Sequence, residues 1–85
     1  MTSAAEILRI AADIIEERGK QRDKPNGERS MARAVAAFNA LRGHNLTEVD
    51  GWRFMEILKI ARGDDFDSFC DGAAYAALAG EAALE

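Results

Sequence analysis

Apolar residues recur at helical spacing in four stretches of this chain, and a cap residue or a glycine marks nearly every end. No stretch alternates with the period of two that a half-buried strand needs, so the pattern commits the chain to an all-α fold. Ser3 and Glu6 have capping-box spacing and open the first helix. Ile7, Leu8, Ala11, Ile14 and Ile15 give it one apolar face, and Gly19 is its expected stop. Residues 19–27, GKQRDKPNG, read as the one extended loop, with Pro25 before an Asn-Gly turn signal. The second helix is expected from about Glu28 to Leu41, with Met31, Val35, Phe38 and Leu41 on one face and Gly43 closing it. The third starts at Thr47, whose spacing to Asp50 repeats the capping box, and runs to Arg62 with Gly63 beyond. The fourth runs from about Asp65 to Leu84. Residues 1–85 are expected to form one domain, a small four-helix bundle-like unit with short connections.

Periodicity also nominates the core. On the third helix Phe54, Ile57, Leu58 and Ala61 form one stripe. Trp52, Met55, Val49 and Ile60 lie elsewhere around it, so this helix should be central or bury a second face in a partner. On the fourth, Phe66, Phe69, Cys70, Ala73, Ala77, Gly80 and Leu84 make the expected stripe, and a run of alanines permits close helix approach. With 48% hydrophobic but only 7% aromatic residues, the core must be built largely from small aliphatic side chains. A chain this short buries only ~60–65% of its unfolded surface, and alanine contributes little at roughly 25 cal/mol per Å². A homo-oligomer or another protein partner is therefore expected.

Charge is divided along the chain. From Asp64 to Glu85 there are six carboxylates and no Lys or Arg, while from Arg18 to Arg33 there are six cations against Asp23 and Glu28. A site for a metal-bound phosphate compound needs such a division, and a helical interaction module with ordinary cap charges also shows it. The pI of 4.9 argues against sequence-independent nucleic-acid binding, which draws on Lys and Arg. One Cys and one His do not supply a structural zinc site. A lone cysteine and no leader pattern point to a reducing cytoplasm, and no apolar run reaches the ~20 residues of a membrane span.

Several residues are candidates for chemistry. Asp67, Asp71 and Tyr75 stand at i, i+4, i+8 on one helix flank. Two such carboxylates can share Mg²⁺, which keeps most of its waters and takes substrate phosphates. Asp67 reads equally well as a partner of the helix dipole, as Asp64 and Asp65 do. Asp71 lies past the first turn and reads otherwise as solvated or ion-paired. Asp50 falls inside the Phe54 stripe, where a carboxylate must be paired, protonated or metal-bound, unless it serves the capping box. Lys59 and Arg62, with Lys20, Arg22 and Lys24, could meet phosphate oxygens, Arg as a fork and Lys as a point charge. Surface pairs such as Glu56 with Lys59 are the alternative. Cys70 sits in the apolar stripe with nothing to make it a thiolate. No serine–histidine–acid set and no glycine-rich phosphate loop is visible, so covalent catalysis has no support.

The strings ERGKQRDKPNGERSMARAVAAFNAL, LTEVDGWRFMEILKIARG and DSFCDGAAYAALAGEA resemble a family of small phage and prophage proteins of unassigned function, over nearly the whole chain. Arg22 departs from an aromatic expected there. More distantly, the pattern is similar to the all-α nucleoside triphosphate pyrophosphohydrolases of MazG type. That resemblance implies an oligomeric enzyme that binds Mg²⁺ with acids from adjacent helices and releases pyrophosphate. It maps the metal ligands onto Asp50, Asp67 and Asp71, with Asp50 and Asp71 activating water. Lys20, Lys59 and Arg62 would hold phosphates, and Tyr75 would flank the base or sugar. The chain lacks an EExxE string, and Asp67 and Asp71 are spaced by four rather than three. Two functions are thus expected: a MazG-like nucleotide-binding and hydrolysing protein, or a non-catalytic protein that docks a host or phage protein through an apolar helix face around Trp52 and Met55.

Overall fold

The computed structural model describes residues 2–22 and 30–85, with the side chains of Gln21 and Arg22 left aside. Four helices result: α1 (Ala4–Arg22), α2 (Ser30–Arg42), α3 (Glu48–Arg62) and α4 (Phe66–Leu84). No strand occurs among the described residues, and the domain is all-α as expected. The expected turn at Pro25–Asn26–Gly27 and the start at Glu28 lie outside the described residues.

The caps behave as the sequence signals. The Ser3 hydroxyl accepts from the Glu6 N–H at 3.1 Å and opens α1. At α3 the box is complete: the Asp50 N–H donates to the Thr47 hydroxyl at 3.2 Å, and the Thr47 N–H donates to the Asp50 carboxylate at 2.8 Å. At α4 the Asp65 carboxylate accepts from both the N–H and the hydroxyl of Ser68. Gly43 follows α2 at φ 71, a left-handed position that glycine takes without cost. Gly19 does not stop α1, which continues to Arg22. A lone glycine costs a helix only about 1 kcal/mol, and the Lys-Gln-Arg that follows favours helix.

The α2–α3 corner is held by one side chain. The Asn39 amide donates to the Leu46 carbonyl at 2.9 Å and accepts from its N–H at 3.0 Å. It satisfies both backbone groups of a turn residue that no helix can pair.

Packing centres on α3 and α4, an antiparallel hairpin joined by residues 63–65. Trp52 on α3 meets Tyr75 and Ala79 on α4, with Met31, Val49, Met55, Leu78 and Ala82 around them. α1 lies along α4, where Ala11 is buried, and α2 lies against α3, with its Met31 on the Trp52–Tyr75–Ala79 cluster. None of the thirteen residues of α2 is buried. The chain leaves 5993 Å² accessible, whereas a compact monomer of its size exposes roughly 5000 Å².

Two expected core stripes hold only in part, with Leu58 of α3 and Gly80 of α4 half-buried. Phe54, Ile57 and Ala61 face outward from α3, and the buried residue is Trp52. On α4 Cys70 is buried and Ala73 half-buried as expected. Phe66, Phe69, Ala77 and Leu84 are exposed, and Ser68, Ala74, Tyr75 and Ala79 take the interior. α3 and α4 each carry apolar residues around most of their circumference, so spacing alone could not rank their faces. The large rings of Trp52 and Tyr75 decide it, since pairing them buries the most area.

Gly51 lets α2 approach α3. A Cβ there would overlap the Met31 sulfur and stand 2.8 Å from Val35 Cγ2. Gly51→Ala should lower the thermal midpoint at least as much as Thr47→Ala, whose lost cap is worth about 1 kcal/mol, or roughly 4–8 °C in a domain this small. A Gly51→Ala protein that melts with the parent in a circular-dichroism scan would show that α2 does not seat on this glycine.

Candidate functional site

Antiparallel pairing of α3 and α4 decides which candidate residues can act together. Asp50 stands at the start of α3, and Asp67 and Asp71 lie in the first half of α4, beside the end of α3. The nine-residue step from Asp50 to Lys59 spans ~13.5 Å of helix axis. Asp50 is exposed and its carboxylate is engaged in the cap. Asp67 is exposed one turn ahead of Asp71. The three carboxylates are not brought together. Among the described residues no three His, Cys, Asp or Glu side chains are grouped to hold a metal ion. This arrangement does not fit the Mg²⁺ site that the MazG resemblance implies.

Asp71 and Lys59 meet each other instead. Lys59 Nζ lies 3.1 Å from Asp71 Oδ2, and their side chains are only 12% and 19% exposed. In that half-desolvated position the pair is a cross-link between α3 and α4, and the lysine charge is largely neutralised. Arg62 and Lys20 are exposed, and Lys20 belongs to α1 rather than to a loop. The Arg22 side chain and Lys24 lie outside the described part. Expected phosphate contacts are thus divided between helix ends, with no common focus among the described residues.

Tyr75 is 7% exposed and belongs to the core. Its ring lies 5.9 Å from that of Trp52. An Arg18 guanidinium N–H donates to its hydroxyl at 3.0 Å, and the guanidinium carbon stands 5.8 Å from its ring centroid. A cleft of about 180 Å³ opens over this group, bounded by Arg18 and Ser30 and floored by Met31, Ala34, Met55 and the two rings. On the hairpin a second depression of about 340 Å³ runs between α3 and α4, walled by Ile60 and Phe69 and floored by Gly72, Ala73 and Ala76.

Two groups have displaced acidities. Hydrogen bonds from the backbone and hydroxyl of Ser68 hold the Asp65 carboxyl below its usual value, which keeps it ionised as a cap. Burial pushes the Cys70 thiol up, helped by the carboxylates of Asp67, Asp71 and Glu6. Cys70 is therefore an inert core thiol, as its place in the apolar stripe suggested.

Sequence reasoning missed two of these contacts. Glu48 accepts from the Trp52 indole N–H at 3.1 Å, a pair at i, i+4 that helical spacing makes legible. The bond between Arg18 and Tyr75 joins residues 57 apart and leaves no local signal.

Removing one member of the Lys59–Asp71 pair should destabilise the domain more than removing both. Asp71→Ala alone should cost roughly 1–3 kcal/mol, between an exposed pair and a fully buried one, and Lys59→Met with Asp71→Leu should recover most of it. Additive losses in urea titrations would show that the two charges do not support each other.

A family described as a domain of unknown function, DUF6378, matches residues 6–83, and the chain belongs to it. No curated protein and no solved structure matches the chain. The family match carries no link to phage or to MazG-type enzymes.

Proposed function

We propose that this DUF6378 domain is a non-catalytic interaction module that docks a protein through the outward apolar face of α3. The observation that carries the reading is the orientation of that helix. Phe54, Ile57 and Ile60 are 66%, 59% and 70% exposed. Glu48, Glu56 and Lys59, all charged, lie on the half-buried side. A free-standing domain would bury the apolar stripe and expose the charges, since each large aliphatic or aromatic side chain is worth ~1.5–3 kcal/mol when covered. Contiguous apolar patches of this kind mark interaction sites. The face expected around Trp52 and Met55 moves to the opposite side of the same helix, because Trp52 is buried. A second copy of the chain, or a host or phage protein as the sequence resemblance implies, could cover this face. No helix among the described residues is long and apolar enough to cross a membrane.

A photo-crosslinking amino acid at Ile57, tested in expressing cells, should give a discrete protein adduct. The same probe at exposed Ala12 on α1 should not. The absence of any adduct at Ile57 would sink this reading.

One arrangement favours nucleotide binding as the second reading. Arg18 at the edge of the first cleft, with Tyr75 and Trp52 at its floor, could receive the edge of a base. The cleft is smaller than the ~300 Å³ at which ligand pockets usually begin, so this reading ranks second. No hydrolytic step follows from these residues. Nucleoside triphosphates with and without Mg²⁺ should raise the thermal midpoint of the parent and not of Arg18→Ala. A flat response across the series removes the reading.

A further inference from the structure

We infer that the occupant of the α3 face is a second copy of this chain, packed about a two-fold axis so that each α3 ridge enters the α3–α4 groove of the other. This rests on the interaction reading and names its partner.

The ridge and the groove are continuous. Ile60 belongs to the outward stripe and also walls the depression of about 340 Å³, whose far wall is the half-exposed Phe69. The floor is made of small residues, Gly72, Ala73 and Ala76, and helical spacing carries the same face on to Gly80. Among the described residues no close contact explains these glycines. A Cβ on Gly72 would meet only the Lys59 Cβ, at 3.8 Å, and one on Gly80 would find no described atom within 4 Å. A glycine inside a helix is disfavoured against alanine, so a need for close approach from outside accounts for both.

Charge selects the pairing. α4 with its preceding turn carries only carboxylates, so α4 against its own copy would set like charges together. Beside the α3 stripe lie exposed Arg62 and Arg53, the latter 58% exposed while paired with Glu56 at 2.8 Å. Placing α3 of one copy over α4 of the other brings these cations toward a rim that holds Glu56 and Asp64, where Lys59 is already engaged by Asp71. Both contacts form twice under a two-fold, which closes the assembly.

The area is sufficient for a modest dimer. The exposed parts of Phe54, Ile57, Ile60, Phe69 and the alanines amount to roughly 500 Å² per copy, and a pair buries about 1000 Å², at the lower edge of specific interfaces. Association in the micromolar range follows, weakened by salt through its charged rim.

Sedimentation equilibrium of the purified chain from about 1 to 300 μM is the test, paired with the Ile57 crosslink. The parent should approach twice the chain mass at the upper end. Gly80→Leu places a bulky side chain on the continuation of the groove floor and should leave a folded monomer by near-ultraviolet circular dichroism, with at least a tenfold weaker association. Ile57→Glu, at an exposed position, gives the same answer should Gly80→Leu fail to fold. The Ile57 adduct should have twice the chain mass. A parent that stays monomeric throughout overturns the inference, as does a dimer that survives both substitutions. An adduct with a different protein overturns the second-copy assignment and leaves the interaction reading standing. No adduct of any kind removes both.

Discussion

Trp52 lies against Tyr75 across the α3–α4 seam, and the other helices take their places around that contact. Each ring brings a polar atom into a region that is mostly apolar, and each polar atom is answered. Glu48, one turn before Trp52, takes the indole N–H, and Arg18 of α1 donates to the phenol oxygen. α1 is thereby tied to the seam by a hydrogen bond as well as by its apolar face on α4. α2 arrives at the same seam from the other side, through Met31 and Val35 over Gly51. A ring pair with satisfied tips offsets the weakness of an alanine-rich core, because aromatic burial contributes far more per residue than alanine does.

Three of the charges named as candidates for chemistry have partners within the fold. Lys59 and Asp71 pair toward the turn of the hairpin, and Asp50 is engaged in the cap of α3, as Asp65 is in that of α4. Helix starts need acceptors for unpaired N–H groups, and aspartate meets that need as readily as it binds a cation. Acidic residues at helix ends therefore look alike in sequence whether they cap or coordinate. Only the direction of the neighbouring helix separates the two cases, and antiparallel pairing sends Asp50 and the α4 acids to opposite ends.

The interior is small, and that shapes function. Buried apolar residues among those described are Ala11, Trp52, Cys70, Ala74, Tyr75 and Ala79, while most of the large aliphatic and aromatic side chains are exposed or half-buried. Small residues let α3 and α4 approach closely, and close approach leaves no room for Phe54, Ile57 or Phe69 between them. Such side chains must point away, where a partner can cover them. The compactness of the hairpin and the apolar character of its outer face thus have one cause.

The sequence by itself determined the number of helices, the caps at Ser3 and Thr47, and the ends at Gly43 and Gly63. These depend on bonds between residues three or four apart, so local chemistry suffices. It also showed that α3 has more than one apolar side. It left open which side goes inward, because every residue on a helix with two apolar faces satisfies the same periodicity. The extension of α1 past Gly19 was equally hidden, since glycine permits a stop without requiring one. Tertiary structure decided the rest: that Trp52 rather than Phe54 is buried, that Asp71 pairs with Lys59, and that Arg18 reaches Tyr75. Each of these joins different helices, and their relative placement is set by the total area and charge the helices can satisfy together, a quantity no single segment contains.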